Sequence, residues 1–551
     1  MINFIRSSVL VCMLLSTKLD AADSDASTVC EQLHLSFTGV ENSMSIDFVS
    51  PSNEFSSIHF KIRDSGDLLK TSTTSSFMDE IGWLHYAEMQ NLLPGTMYEY
   101  KIFVVKEQGI YDVECTDWIS FEAGYPTRSD GTHYRIGDGY SNGGVEGGIA
   151  AVYADFGLAN DVSMKHLQDE GARGDFDYAL HIGDISYDLF TNKSTVGNEF
   201  MRQVSDIYRH KPLMVAAGNH EHNDNFTQYT QRFKAQEEFA GTHSKSDTSF
   251  YYSFDVGMIH YIVINTEVYK YQNETANSPL PFTPEQQLTW LEQDLIQANQ
   301  NREEVPWIVM AGHKGWYMNE FSVSYKINGD ICTNFTAFDD LACEYGVDLY
   351  LTGHVHVYQR FLPVVGPSSL RFMMPPRHVD YDSISADGHT YTNSKYMPTI
   401  VAASPGDEEI TGHKLCPLFD TIGEFFWRNS QAKCSAVYGY GHLQAVNKTH
   451  LYWEFVETGM NGKTDSYTRD DVEAIIASLP DDWMRYFINQ TKNFEEVLRK
   501  NIIEHFNKDK HSYDDRSEFW TRGVGDVVRD YLWIVQTGDK HNGEKKDYCS
   551  F

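Results

Sequence analysis

Side chains able to hold metal ions follow short apolar runs at five separate places in this sequence. Asp155 closes Ile149-Ala-Ala-Val-Tyr-Ala, and Asp184 and Tyr187 follow Leu180-His-Ile-Gly. Asn219 ends Leu213-Met-Val-Ala-Ala-Gly, and His313 ends Trp307-Ile-Val-Met-Ala-Gly. His354 and His356 form Gly353-His-Val-His after Asp348-Leu-Tyr-Leu-Thr. A glycine beside the ligand lets the chain turn sharply off a strand. In an extended His-x-His the period of two puts both rings on one face. Carboxylate and phenolate oxygens suit a hard, highly charged ion, whereas an amide with imidazoles suits Zn, Fe(II) or Mn(II). A carboxylate shared by two such ions would hold them about 3.5–4 Å apart, the spacing of two-metal hydrolysis. Each motif alone is a weak signal, since a lone Gly-Asp is usually a turn. Five in this arrangement point to a two-metal centre. Gly137-Asp138-Gly139 resembles such a motif, but no apolar run precedes it, so Asp138 reads as a loop residue.

The elements that must position these groups have a layered α/β rhythm from 149 to 466. Buried-type strands are expected at Ala150–Ala154, Tyr178–Ile182, Leu213–Ala217, Tyr252–Phe254, Ile259–Asn265, Trp307–Ala311 and Asp348–Thr352. Between them, helices are expected at Asn160–Gln168, Asn198–Ile207, Thr283–Asn299 and Phe338–Tyr345. Such sheets gather ligands in loops at the carboxyl ends of strands, where the motifs lie. Residues 30–125 alternate instead with period two, as in Ser45-Ile-Asp-Phe-Val, and read as a β-sandwich. Residues 126–148 form a Gly/Asp/Ser-rich linker. Residues 467–551 read as a helical C-terminal extension, with helices at Asp470–Leu479, Trp483–Phe506 and Ser517–Val535 and a packing or dimerising role.

Charge bounds the partners. A net charge of −34 over 551 residues repels nucleic acid and anionic membranes. It also repels a phosphate ester, unless metal ions concentrate positive charge locally. Residues 1–22 read as a secretory signal: Arg6 precedes the apolar Val9 to Leu15, and Ala21-Ala22 offers a cleavage site. A membrane anchor is the weaker reading, because the run falls short of the ~20 residues a span needs. A secreted or lumenal chain favours disulfides. Cys30/Cys115, Cys332/Cys343 and Cys416/Cys434 are the near pairs, with Cys549 left over. Six glycosylation sequons, at Asn192, Asn225, Asn273, Asn334, Asn447 and Asn489, agree with that route.

Together the five blocks resemble those of the purple acid phosphatases within the calcineurin-like metallophosphoesterases. The similarity spans most of residues 30–456, including Tyr251-Tyr-Ser-Phe-Asp and Tyr440-Gly-His-Leu, and excludes the tail. It implies a fibronectin type III-like sandwich in front of an α/β/β/α catalytic domain. It further implies that Asp155, Asp184, Tyr187 and His356 hold Fe(III), while Asn219, His313 and His354 hold a divalent Zn, Fe or Mn bridged by Asp184. The tyrosine gives this family its purple colour. The implied reaction is acid hydrolysis of small phosphate monoesters by a metal-bound hydroxide, with Asn219 and His220 contacting the substrate and His220 assisting catalysis.

Several positions depart from the family pattern. Ala154 replaces the usual glycine before the first aspartate, and Ser322 and Val323 stand where many plant members carry a further histidine. Lys314 or Tyr317 could take over part of that histidine's work, or either could be rim decoration. His181 is expected to be a structural hydrogen-bonder and Glu221 to orient its loop. A phosphodiesterase, pyrophosphatase or phytase on the same metals is the competing enzyme reading. A scaffold that keeps the fold without turnover is a further alternative, against which all seven ligand positions are filled.

Overall fold

The computed structural model describes residues 30–50, 56–106, 111–124, 127–128, 145–146, 148–159, 161–271, 280–315, 330–365, 378–406, 431–435, 437–460, 520–522 and 526–537. Alternating residues build the N-terminal sandwich as the sequence predicts. One sheet orders Glu31–Phe37, Met44–Ser50, Gly82–Met89 and Thr74–Met78; the other centres on Ser56–Ile62 and Thr96–Lys106. Leu35, Ile46, Ile58, Tyr100 and Ile102 fill the space between them. A disulfide joins Cys30 to Cys115.

The following domain is two sheets packed face to face with helices outside. In the first sheet Leu213–Ala216, Tyr178–Ile182 and Ala150–Tyr153 run parallel, and Val437–Asn447 and His450–Met460 continue it antiparallel. In the second, Ile259–Val263, Trp307–Ala311, Leu349–Thr352 and Thr399–Ala402 run parallel, edged by Tyr252–Val256 on one side and by Tyr358–Phe361 and Gln431–Ser435 on the other. Strand periodicity sorts the side chains. Ala150 and Val152 face the opposite sheet, while Ala151 and Tyr153 face helices Met164–Arg173 and Thr195–Tyr208. Pro284–Gln300 and Asp330–Glu344 cover the second sheet. The former begins with a reciprocal capping box between Thr283 and Gln286.

The sandwich docks on the flank of the first sheet. Glu31–Phe37 lies beside its outermost strand, with a parallel bridge from Leu35 to Pro212 and the Phe37 N–H on Met214 Sδ at 3.3 Å. Buried Arg232 reaches Gln32 Oε1 (2.5 Å) and Asn198 Oδ1 (2.7 Å), and Tyr100 Oη donates to the Arg209 carbonyl at 2.9 Å.

The structure overturns part of the reading of the C-terminal extension. Residues expected as a helix over Ser517–Val535 are instead strands, Trp520–Arg522 and Asp526–Val535. The longer strand pairs along His450–Met460 and belongs to the first sheet, so the catalytic fold does not end at 466. Val528, Asp530, Leu532 and Ile534 are buried with the period of a strand. A charged residue on the inward face hides that alternation in the sequence. The other two expected helices and Asp138 lie outside the described residues. Helix Met164–Arg173 also starts later than expected, and Asp330–Glu344 earlier. Thr127–Arg128 pairs with Val145–Glu146 inside the expected linker. Cys343 and Cys434 are disulfide-bonded, but the side chains of Cys332 and Cys416, their expected partners, lie outside the described residues.

His260 carries a pH signature. Its Nδ1 meets Asp255 Oδ1 at 2.6 Å and its Nε2 meets Asp294 Oδ2 at 3.0 Å. Burial works against its charge, but Asp294 and Asp255 raise it to about 10. A histidine whose folded pKa is raised adds stability in full below its unfolded pKa of about 6.5, and that stability is lost as pH rises through the folded value. His260→Gln should therefore lower the urea midpoint at pH 5–6 and leave it near wild type above about pH 10. An equal loss at both pH values would mean that packing, not the ion pairs, is at stake.

Candidate metal centre

The carboxyl ends of the parallel strands in both sheets open onto one place, and the expected side chains meet there. Two loops from the first sheet are stitched together: the Asp155 N–H donates to the Gly183 carbonyl (3.1 Å) and the Phe156 N–H to the Asp184 carbonyl (3.2 Å). Asp155, Asp184, Tyr187 and His354 all have left-handed φ, at 60°, 53°, 47° and 72°. A backbone that L-residues avoid is thus imposed at four of the seven positions, as happens where geometry serves a site. The flanking glycines are explained by space. A Cβ on Gly218 would collide with the Asp184 carboxylate, and one on Gly353 with Ala154 and Asp155.

Two groups result. In the first, Tyr187 Oη lies 3.0 Å from Asp155 Oδ1 and 2.7 Å from His356 Nε2, and His356 Nε2 lies 3.2 Å from Asp155 Oδ1. In the second, His313 Nε2 lies 3.1 Å from both Asp184 Oδ2 and Asn219 Oδ1, and ligand-type atoms of Asp184, His313 and His354 all fall within 4.8 Å of one another. His313 Nδ1 donates to the Ile182 carbonyl at 3.0 Å, which leaves Nε2 as the coordinating nitrogen. The His354 N–H donates to Asp155 Oδ2 at 2.7 Å and joins the groups.

The field at this place seeks positive charge. Burial alone would depress the His313 imidazole, but Asp184 and Asp155 raise it to about 10. Asp184 is held well below the usual carboxylate range: burial opposes this, while His313 and His220 outweigh it. An oxygen-rich set beside a mixed oxygen–nitrogen set fits two ions of different hardness.

Around these groups lie His220, Glu221, Lys314 and His181. His220 Nδ1 meets Asp188 Oδ1 at 2.6 Å, its N–H donates to Asp184 Oδ1 at 2.8 Å, and its ring packs 4.5 Å from that of Tyr187. Burial works against its charge, but Asp184 and Asp188 raise it to about 9. Asp188 was missed in the sequence. Its position directly after Tyr187 was the only available hint. Glu221 orients its loop as expected, accepting from the N–H groups of Asp184, Ile185 and Gly218. Lys314 does not face the site as a free acid. It is buried, and its Nζ lies 2.7 Å from Glu267 Oε2. Tyr317, Ser322 and Val323 lie outside the described residues. His181 is buried against Tyr153 and Phe200, and burial drives its pKa down to about 3.

Comparison with known proteins gives concordant results. Family models match for calcineurin-like phosphoesterase at residues 146–358, purple acid phosphatase N-terminal domain at 30–123, and iron/zinc purple acid phosphatase-like protein C at 421–466. Acid phosphatase type 7 of Danio rerio is 30% identical over 471 residues, covering 80% of this chain and 91% of the relative. The Homo sapiens protein of that name is 28% identical, covering 82% and 93%. The solved purple acid phosphatase PPD1 from yellow lupin (Lupinus luteus) shares the fold at TM-score 0.60 and 15% identity, covering 93% of this chain and 76% of that one.

Proposed function

The chain belongs to the purple acid phosphatase family of calcineurin-like phosphoesterases, and on that premise we propose that it hydrolyses small phosphate monoesters at a dinuclear Fe(III)–M(II) centre. One observation carries the reading: seven candidate ligands from five loops meet in two touching groups. Asp155, Tyr187 and His356 would hold the ferric ion, and Asn219, His313 and His354 the divalent Zn, Fe or Mn, with Asp184 between them. Two bound ions would supply a water of lowered pKa and a charge clamp for the phosphate. They would also offset the chain's net charge of −34, which otherwise repels the substrate.

The chain's own groups do the rest. The Asn219 amide and the His220 imidazole, both partly exposed beside the candidate ligands, would orient the ester. Asp188 holds His220 Nδ1, so Nε2 is the nitrogen that would pass a proton to the leaving oxygen. His220→Ala should lower kcat roughly 10²–10⁴-fold, the range for loss of a general acid. The loss should be larger on an alkyl phosphate than on p-nitrophenyl phosphate, whose leaving group needs no proton. Equal losses on both would restrict His220 to binding.

A secreted or lumenal compartment is supported by the Cys30–Cys115 disulfide and by exposed sequon residues Asn192, Asn225 and Asn447. Asn273, Asn489 and the Asn334 side chain lie outside the described residues. Among the described residues no helix is long and apolar enough to cross a membrane.

The test is the colour of the purified protein together with its metal content. Violet absorption with two metal ions per chain is expected, and Tyr187→Phe should lose the colour while keeping the divalent ion. A colourless wild type with one ion or none would overturn the dinuclear ferric assignment. Rates on a monoester, a diester and a pyrophosphate then rank the substrate classes.

A further inference from the structure

Under the His354–His356 loop lies a buried polar clamp between the two sheets. The loop runs directly into strand Tyr358–Phe361 of the second sheet. This strand is short, and its pairing with Gln431–Ser435 is irregular between Arg360 and Phe361. Its side chains reach across the sandwich interior to Asp530 on the C-terminal strand of the first sheet. Arg360 Nε donates to Asp530 Oδ2 at 2.6 Å and Nη2 to Oδ1 at 3.0 Å, a two-pronged pair. Tyr358 Oη donates to the same Oδ2 at 2.7 Å, and Trp453 Nε1 donates to Tyr358 Oη at 3.2 Å. The remaining Arg360 nitrogen, Nη1, reaches Tyr391 Oη and the Gly388 carbonyl. Arg360 and Asp530 are each 3% exposed, in a layer otherwise filled by residues such as Leu443, Phe455 and Leu532.

Stability does not explain the presence of this pair. Well-packed apolar residues of the same volume usually serve such an interior as well or better, because two charges must be stripped of water. Apolar contacts tolerate several side-chain arrangements, whereas a two-pronged charged pair accepts one narrow geometry. A one-residue slip of the strand would exchange its two faces and break that pair. A slip at Tyr358 would carry His356, two residues upstream, away from Tyr187 and Asp155.

We propose that Asp530 is a positioning residue for the metal centre: through Tyr358 and Arg360, the C-terminal strand holds the His354–His356 loop in coordinating geometry. Metal retention then depends on a segment past residue 466, where the last family match ends. The inference rests on the two-metal reading for its metal readout, and on the fold alone for its mechanical one.

The experiment uses the full chain with Asp530→Asn, Tyr358→Phe and the double variant Arg360→Met/Asp530→Leu. Metal content is measured after a chelator challenge, and backbone hydrogen exchange at residues 353–358 is followed in the metal-free protein. Asp530→Asn should become up to roughly tenfold more sensitive to chelator, the low end of the loss of a direct partner of a metal ligand, with faster exchange in the loop. Tyr358→Phe should show the same change more weakly, with a small fall in melting midpoint from the Trp453 N–H it leaves unpaired. The double variant should regain most of the midpoint lost in Asp530→Asn without regaining metal retention, which separates positioning from stability. Wild-type exchange in the loop of both Tyr358→Phe and the double variant would overturn the inference, even if Asp530→Asn fails to fold. A wild type that binds no metal sinks the two-metal reading instead, and the exchange measurement still decides the clamp.

Discussion

Asp184→Asn should leave the purified protein with less than one metal ion per chain and lower its turnover of a phosphate monoester by more than about a hundredfold. Losing an outer partner of a metal ligand typically costs roughly 10–100-fold, and Asp184 is placed closer in than that. One oxygen lies 3.1 Å from His313 Nε2, while the other accepts the His220 N–H at 2.8 Å. An amide can still accept that second bond, so the loop should stay folded. The full negative charge that opposes the imidazoles is what disappears. Metal analysis beside steady-state rates checks both halves of the expectation, and the melting midpoint shows that the variant is folded. Undiminished hydrolysis in a folded Asp184→Asn protein would end the dinuclear reading.

Glu221→Ala should be the most destabilising single change near the site, at about 3–5 kcal/mol. Glu221 is buried, and its two oxygens accept the Asp184 (3.0 Å), Ile185 (2.8 Å) and Gly218 (2.6 Å) N–H groups. One side chain thus ties the loop bearing Asp184 to the loop bearing Asn219. Alanine leaves three buried donors, each costing about 1–3 kcal/mol when unsatisfied, and the costs are not additive. The melting midpoint should fall by on the order of 5–10 °C, with metal retention falling alongside it. Glutamine is a poor rescue, since its amide nitrogen would face a donor. A midpoint within about 1 °C of wild type would show that water replaces the carboxylate there.

Most candidate ligands were legible because they end an apolar run at a glycine or small residue, a pattern that local chain geometry imposes. Asp155, Asp184, Asn219 and His313 could be found by that rule, and the period of two identified the His354/His356 pair. Asp188, Glu267 and Asp530 could not be found so. Their meaning comes from partners far away in sequence: His220, Lys314 and Arg360. The strand Asp526–Val535 was misread for a related reason. Its inward charge is compensated only across the sheet interface, and no local window contains that compensation. Lys314 shows the converse: beside a ligand, chemistry and rim decoration both stay open until its ammonium proves committed to a buried carboxylate.

The placement of Glu31–Phe37 alongside Leu213–Ala216 has a practical consequence. An outermost strand offers unpaired amides to any passing chain and invites sticking. Here the front domain covers one end of that border at the Leu35–Pro212 bridge, while Gln236 Oε1 and Tyr252 Oη take the Val215 N–H and carbonyl. A shortened protein beginning at residue 149 would retain every candidate ligand but bare the apolar face that Phe37 covers on Tyr178 and Phe254, and it should clump on expression. The front domain would then be what keeps the catalytic half from self-association.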